Sequence, residues 1–592
     1  MALWGTEQED KNVLAQTGVR QYSGAEILVR FLEEKGVRQL YGIPGAGILP
    51  FYDAILDSHL IRSYNVRHEQ TAVFMADGFS RVTGKVGVCA ATSGPGATNF
   101  LTGLYGAYVD SIPLIALTGQ VPTSLVGKDA FQEAPMVQLA GPVTKQSYFV
   151  KRSEDLPQIL AEAWLTATTG RRGPVLIDLP LDVQKGRIPL NLEQWVQSLD
   201  LEHSLNYPNA SLDECAETLR LLGEAQRPVI LAGGGIVLAD AAQELKELAE
   251  GLSLPVVSTL MGKDCFPNDH PLYAGMSGTI CQTPLGNKTV LEADLILNLG
   301  GRFSDRNTGD VGSFKHNKKI VHVNIDQREL NRQVPTELPI CADVKGFLRT
   351  LLDRIENTGF QWKGRENTAR ALAHSKKEFA RQTQFGTYPM KPQEAIAELR
   401  KHLERKAIVT HDCGISQILS SQLFDVYEPR TYLITGRAGT MGWGLGAAMA
   451  AKLAKPEVQC VNLLGDGSLG MSLADLATAA KHNIPVVVFL LNNSLLGLIR
   501  QQQNLFFNER WISTDLDFEN REMGHDRGID FVATARGLGV AAERIERVED
   551  IGDALQRAFA SNRPYLLEVL VDPLAQCSVS EDGTLAGVLE RS

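Results

Sequence analysis

None of the eight cysteines of this 592-residue chain (Cys89, Cys215, Cys265, Cys281, Cys341, Cys413, Cys460 and Cys577) stands in a CxxC pair, and they are spread from one end to the other. That scatter argues against a disulfide framework and predicts reduced, mostly buried thiols in a cytoplasmic protein. No block of lysine and arginine occurs and the net charge is −11, so no nucleic-acid footprint is expected. The same charge means that a small anionic substrate needs locally placed cations. The apolar stretch 484–491 is far too short for a bilayer, so no membrane contact is expected. The segment MALWGTEQEDKNVLAQ has no basic region leading into an apolar one, so no signal peptide is expected either. No short-period repeat is visible, which excludes a repeat architecture.

What is present is ordinary globular composition, 44% apolar and 21% charged. The length predicts about three or four domains. Short apolar stretches at 37–41, 86–91, 114–117 and 175–179 alternate with helix-like segments, and turn residues such as Gly42-Ile43-Pro44-Gly45-Ala46 and Ser93-Gly94-Pro95-Gly96 punctuate them. The pattern returns at 228–232, 295–299 and 320–325, and again at 407–410, 459–464, 485–491 and 566–571. Strands alternating with helices imply parallel sheets covered on both faces. The expectation is therefore an α/β protein of three doubly wound parallel-sheet domains, over 20–190, 211–350 and 390–575. Polar stretches at 186–210 and 359–386 read as linkers.

Two features carry chemistry. Gly465-Asp466-Gly467-Ser468 follows the strand expected at 459–464, and Asn492-Asn493 follows the one at 485–491. The intervening chain returns to the same sheet edge, so Asn493 can face Asp466, and such edges are where α/β sheets bind ligands. A carboxylate, an amide oxygen and a backbone carbonyl, that of Leu495, suit Mg²⁺, which also keeps water and phosphate oxygens around it. Together these motifs read as a diphosphate anchor. The second feature is Glu69 in NVRHEQTAVFMAD, at the start of a helix-like run. Acidic residues are common there because unpaired N–H groups and the helix dipole favour negative charge. Taken alone, Glu69 reads first as helix-start decoration.

The GDG and NN motifs, with Glu69, resemble the signature of thiamine-diphosphate enzymes. The runs YGIPGAGILPFYDAI, RHEQTAVFMADGFSRVTGKVGVCAATSGPGATN, DSIPLIALTGQVPTSLVGKDAFQEA, RRGPVLIDLPLDV, GRFSDRNTG, AGTMGWGL and RQQQNLFF extend the likeness over nearly the whole chain. They are similar to the catalytic subunit of the acetohydroxyacid (acetolactate) synthase family. The resemblance implies a pyrimidine-binding, a central FAD-binding-like and a diphosphate-binding domain. It implies that Glu69 hydrogen-bonds N1′ of the cofactor's aminopyrimidine in a water-poor pocket, with Gly439 as backbone acceptor and Met441 as apolar wedge. Pro44, Gly45, Gly465, Gly467 and Ser468 would complete the thiamine diphosphate site, and Asp466, Asn493 and Leu495 the Mg²⁺ site. Phe131 and Gln132 would line the reacting centre, Gln502 the substrate, and Arg302 would pair with the carboxylate of the second oxo acid, a task suited to a guanidinium. FAD on Gly233, Gly234, Gly235 and Asp343 is implied as a structural group, since carboligation transfers no net electrons. At least two copies would share each active site, and the family allows tetramers and a small regulatory subunit.

The implied reaction is decarboxylation of one 2-oxo acid and joining of the remainder to a second, giving 2-acetolactate and CO₂ from two pyruvates. Some residues depart from the pattern. Gln502 stands where the family has tryptophan, Gly446 occupies GLGAA in place of GLPAA, and His411-Asp412-Cys413-Gly414 and Arg437 are atypical. GISQI, Trp443, LGLIRQ, the insert around DFENRE and the tail CSVSEDGTLAGVLE lean toward glyoxylate carboligase, which makes tartronate semialdehyde, although that family typically lacks the glutamate found here at Glu69. A flavin-dependent 2-oxo-acid oxidase and a non-catalytic cofactor-binding subunit are the readings from other classes.

Overall fold

The computed structural model describes residues 18–198, 207–364, 367–517, 528–579 and 584–589. The chain divides into two compact units, one reaching Asn206 and one starting at Tyr207. Among the described residues no helix is long and apolar enough to cross a membrane.

The first unit is built on a six-stranded sheet. From edge to edge its strands are Arg62–Asn65, Gln39–Ile43, Gly87–Ala91, Leu114–Gln120, Pro174–Pro180 and Gln146–Phe149, all parallel. Numbered along the chain, the order is 2-1-3-4-6-5. Its central strands are buried on both faces, as continuous apolar runs such as LIAL and VLI require. Val88 and Ala90 face a core shared with Ile27, Phe31 and Leu160. On the opposite face lies helix Glu69–Thr83, whose Ala72, Val73, Met75 and Ala76 are fully buried. That helix is tied to helix Leu101–Asp110 by Arg81, which donates from Nε to Asp77 at 2.5 Å and from Nη2 to Asp110 at 3.0 Å.

The second unit holds two further parallel sheets of six strands. The middle one runs Tyr273–Met276, Val256–Ser258, Pro228–Ala232, Leu295–Leu299, Lys319–Asn324, Leu338–Cys341, an order of 3-2-1-4-5-6. The last runs Tyr432–Ile434, Ile408–His411, Cys460–Gly465, Val487–Asn492, Tyr565–Leu570, Ala541–Ile545, again 2-1-3-4-6-5. These two sheets belong to one unit because their connections interlock. The Asn268 N–H donates to Val426 O at 2.8 Å and the Val426 N–H returns to Asn268 Oδ1 at 3.0 Å. Arg430 donates to Asp240 at 2.7 Å and to Val237 O at 2.8 Å, and Met276 and Cys281 enter the apolar core of the last sheet.

The polar stretches expected as linkers are partly ordered. Within 186–210, Arg187–Leu190 pairs antiparallel with Arg20–Ser23 and Leu192–Ser198 is helical, because Ile188 and Leu192 have an apolar surface to bury against. Within 359–386, Thr368–Glu378 is a helix anchored by buried Leu372, and Trp362 is buried too. The insert around DFENRE lies outside the described residues from 518 onward, as does part of the tail, at 580–583.

Asp178, buried at 1% exposure on strand Pro174–Pro180, accepts from Thr118 Oγ1 at 2.7 Å and Gln120 Nε2 at 3.0 Å. Burial nonetheless pushes its carboxyl from 3.8 up to about 7. An acid raised on folding favours the protonated folded form. Its cost is absent below the unfolded value and grows until pH passes the folded one. Asp178→Asn should therefore change stability little at pH 4, after its lost hydrogen bonds, and gain relative to wild type by up to about 4 kcal/mol at pH 8. Denaturant melts at both pH values check this, and a difference independent of pH would refute it.

Candidate active site

In a 2-1-3-4-6-5 sheet the chain reverses its direction of progress between strands 1 and 3, and the loops leaving those strands open a crevice. In the first unit these loops are 44–47 and 92–96. They meet closely: Gly47 N–H donates to Thr92 Oγ1 at 3.1 Å, and a Cβ on Gly45 would fall 2.5 Å from Thr92 Cβ. Pro44 and Gly45 therefore lie at this crevice. Glu69 opens helix Glu69–Thr83 next to it, after a cap in which His68 Nδ1 accepts from the Gln70 N–H at 3.2 Å. Its carboxylate turns away from the helix end. Oε2 accepts from Asn99 Nδ2 at 2.8 Å, and Oε1 lies 3.3 Å from where a Cβ on Gly96 would sit. The loop carrying Phe131 and Gln132 arrives at the same place. Gln132, at φ 60°, packs its Cα and Cβ against Gly94, whose own φ is 62°, and Phe131 beside it is 88% exposed.

In the second unit the corresponding crevice lies between the loops after Ile408–His411 and Cys460–Gly465. Ser468 Oγ donates to Cys413 O at 3.3 Å, and a Cβ on Gly439 would fall 3.4 Å from Cys413 Sγ. A Cβ on Gly467 would come within 2.8 Å of Leu496 and 3.3 Å of Met441. Gly439, Met441, Gly465, Asp466, Gly467 and Ser468 thus share one locality. Asp412, fully buried, accepts from the Gly444 N–H at 2.6 Å and so fixes the start of helix Trp443–Ala454 that follows Met441.

Asp466 is the first residue of helix Asp466–Ser472. Its Oδ1 accepts from the Gly467 N–H at 3.1 Å, while Oδ2 is buried and has no hydrogen-bond partner among the described residues. Burial pushes this carboxyl up to about 7, in spite of the Gly467, Asp466 and Ser494 backbone amides that favour its charge. The Ser494 contribution places the Asn492-Asn493 turn beside it. The two asparagines differ in employment. Asn492 Nδ2 donates to Glu568 at 2.8 Å and Asn492 Oδ1 accepts from the Ser494 N–H at 3.0 Å, holding Ser494 at φ 56°. Glu568 is fully buried and takes Arg544 Nε on its other oxygen at 2.8 Å. Asn493, 7% exposed, accepts among the described residues only from the Leu495 N–H at 3.2 Å. Asp466 and Asn493 thus stand on neighbouring turns at one sheet edge, with Leu495 following on the second turn.

Gln502 is half-buried on helix Gly497–Phe507 and makes no hydrogen bond among the described residues, whereas its neighbour Gln501 exchanges bonds with the Cys577 backbone at 2.7 and 3.0 Å. Arg302 is half-buried where strand Leu295–Leu299 ends. Sequence reasoning missed Arg306 four residues later. Its exposed guanidinium is close enough to Cys413 and Cys281 to draw both thiols down against the burial that raises them. GRFSDR carries both arginines, and nothing in the string chooses between them. Asn99 was also missed; TSGPGATN contains it without any spacing rule that marks it.

The residues expected to meet a flavin on the middle sheet also have roles within the protein. The absent Cβ atoms of Gly233 and Gly235 would collide with the backbone of Gly300 and Gly301 at 2.5–2.6 Å, and that of Gly234 approaches Met261 at 3.0 Å. These glycines are required by protein packing, whatever they do for a ligand. The Asp343 carboxylate caps helix Val344–Thr358 by accepting from the Gly346 N–H at 3.0 Å.

Comparison with known proteins agrees with this layout. Three family models match: the N-terminal TPP binding domain of thiamine pyrophosphate enzymes over residues 22–140, their central domain over 215–351, and their C-terminal TPP binding domain over 412–569. A probable acetolactate synthase large subunit of Methanocaldococcus jannaschii is 40% identical over 96% of this chain and 95% of its own length. The acetolactate synthase large subunit of Corynebacterium glutamicum is 38% identical over 94% of this chain and 87% of its own. Glyoxylate carboligase of Escherichia coli O157:H7 is 35% identical over 94% of each. The chain belongs to the thiamine pyrophosphate enzymes.

Glu568 supports the Asn492-Asn493 turn from outside the crevice, which makes it a test of the geometry. Glu568→Ala leaves Asn492 Nδ2 buried without an acceptor, a loss of about 1–3 kcal/mol. It should weaken thiamine diphosphate binding by roughly tenfold or more, while Glu568→Gln, which keeps an acceptor, retains most of it. Calorimetric titration and denaturant melts measure the two effects. Full affinity in the alanine variant would show that the turn stands unaided.

Proposed function

We propose that this enzyme joins two 2-oxo acids with release of CO₂, taking pyruvate as donor and acceptor to form 2-acetolactate. The observation that carries the reading is the pairing of Asp466, a buried carboxylate with one unpartnered oxygen, with the Asn493 turn, in a chain whose near full-length relatives include acetolactate synthases. A desolvated carboxylate with no protein partner on one side fits a cation, and the hard oxygen set of Asp466, Asn493 and Leu495 favours Mg²⁺ bridging to a diphosphate. When bound, thiamine diphosphate supplies a carbon nucleophile at C2 and a ring that takes up the electron pair left by CO₂.

The chain's own residues supply the rest. Glu69 exchanges a proton with the pyrimidine N1′ through its carboxyl group. The Gly439 carbonyl would accept from the cofactor's amino group, and the Met441 thioether would pack against its rings. Ser468, Gly465 and Gly467 border the diphosphate, as Pro44 and Gly45 border the pyrimidine. Phe131 and Gln132 cover the reacting centre. The second substrate's carboxylate is held by a guanidinium, Arg302 or Arg306, against the net negative charge of the chain. Gln502 faces the acceptor side chain. FAD is supported by the 3-2-1-4-5-6 order of the middle sheet, the arrangement of dinucleotide-binding folds; it serves structure only. The active protein is an assembly of two or four copies in the cytoplasm, competent to recruit a small regulatory subunit.

Glyoxylate carboligation is the second reading, favoured by the glyoxylate carboligase relative and by Gln502. Product analysis with pyruvate, glyoxylate and 2-oxobutyrate, singly and in pairs, decides between them. 2-Acetolactate from pyruvate alone is expected. Tartronate semialdehyde as the main product would select the second reading, and oxygen uptake without a ligated product would select a flavin oxidase. Asp466→Ala should lose Mg²⁺ and thiamine diphosphate together, and tight retention of both would place the anchor elsewhere.

A further inference from the structure

The two oxygens of the Glu69 carboxyl group are not equivalent. Oε2 is engaged by Asn99 Nδ2 at 2.8 Å, and Oε1 rests over Gly96 with no hydrogen bond from any described residue. Asn99 is itself firmly set. Its backbone N–H donates to Pro95 O at 3.1 Å, and the next residue, Phe100, is fully buried with its N–H on Ala97 O at 3.1 Å. An amide –NH₂ can only donate. While it faces Oε2, that oxygen accepts, and a proton on the carboxyl group is better held on Oε1, since the oxygen without the proton is the stronger acceptor.

We propose that Asn99 is the positioning residue of this carboxyl group, biasing its exchangeable proton toward Oε1, the oxygen available to the pyrimidine N1′. The proposal rests on the reading of Glu69 as the proton-exchanging group. It assigns a purpose to the gap at Gly96 as well. A side chain there would push Oε1 aside, since the Cβ position is 3.3 Å from Oε1 and 2.9 Å from Thr92 Cγ2. The other titratable groups around Glu69 do not compete. Tyr52, on helix Leu49–Leu56, is a phenol that burial raises and that Cys89 and Glu69 raise further, so it stays neutral. Cys89 is raised by burial and stays a thiol. His68 spends Nδ1 on the Gln70 N–H, and Arg67 reaches Asn65 at 3.2 Å. No lysine or arginine among the described residues pairs with Glu69. A hydrogen bond to a charged oxygen is stronger than one to a neutral oxygen, so loss of the Asn99 donor is felt most by the ionised carboxylate.

The test uses holoenzyme and cofactor-free protein side by side. In holoenzyme, hydrogen–deuterium exchange at the cofactor's C2 is followed against pH by acid quench and NMR for wild type, Asn99→Ala, Asn99→Asp and Glu69→Gln. In cofactor-free protein, the carboxyl infrared band found by subtracting Glu69→Gln from wild type is titrated, and again in the Asn99→Ala background. Asn99→Ala should move the acid limb of the exchange profile and the midpoint of the band upward by about one pH unit. Asn99→Asp, which adds a like charge, should move both further, with thiamine diphosphate affinity within about threefold of wild type. A packing role alone would lower affinity or melting temperature without shifting either titration. Unmoved titrations in both Asn99 variants, with exchange abolished in Glu69→Gln, would overturn the proposal and leave Glu69 standing. Wild-type exchange in Glu69→Gln would overturn the reading beneath it. Asp at position 99 is nearly isosteric, so it reports even if the alanine variant fails to fold.

Discussion

One edge of the last sheet carries a costly group. Asp466 is buried with half of its carboxylate unpaired, and burial alone would protonate it near neutral pH. Such a group persists only where its surroundings over-determine it. Three things do so here: the Gly465-Asp466-Gly467 turn at a strand end, the backbone amides of Gly467 and Ser494, and a remote carboxylate, Glu568, that keeps the neighbouring turn in place. Under the proposed function, a cation and its diphosphate binding here would recover the stability given up at this point and couple folding of this edge to ligand binding.

The first and last sheets share one strand order and the middle sheet has another. That difference sorts the chemistry. Both 2-1-3-4-6-5 sheets place a crevice between strands 1 and 3, and each crevice collects a carboxylate, tight glycine turns and small polar side chains. The 3-2-1-4-5-6 sheet opens between strands 1 and 4, where Gly233–Gly235 and Gly300-Gly301 close on each other. The wiring of the sheets, more than any single loop, determines where a ligand can reach several backbone turns at once.

Much of this was legible in the string. Central strands such as Pro228–Ala232 and Leu295–Leu299 were expected with their observed bounds, because burial on both faces leaves an unbroken apolar run. Several edge strands were not seen: Gln146–Phe149, Leu338–Cys341, Tyr432–Ile434 and Ala541–Ile545 are short or half-polar, and pairing on one side gives them no distinctive pattern. At the sites, residues whose role is set by backbone geometry, Gly467 and Asp466 among them, announced themselves through spacing. Asn99, Arg306 and Glu568 did not. Each acts across the fold on a partner tens of residues or more away, and a lone asparagine, arginine or glutamate carries no local mark of what it will touch.

Helix Gly497–Phe507 is seated by residues that come much later in the chain. Gln501 exchanges two hydrogen bonds with Cys577, and Gln422 reaches Ser578 at 3.2 Å. During synthesis on the ribosome the first unit can close as soon as it clears the exit tunnel, but this helix must wait for a segment made more than seventy positions afterwards. The newborn polypeptide therefore reaches the end of its translation before this helix can gain the two hydrogen bonds that seat it.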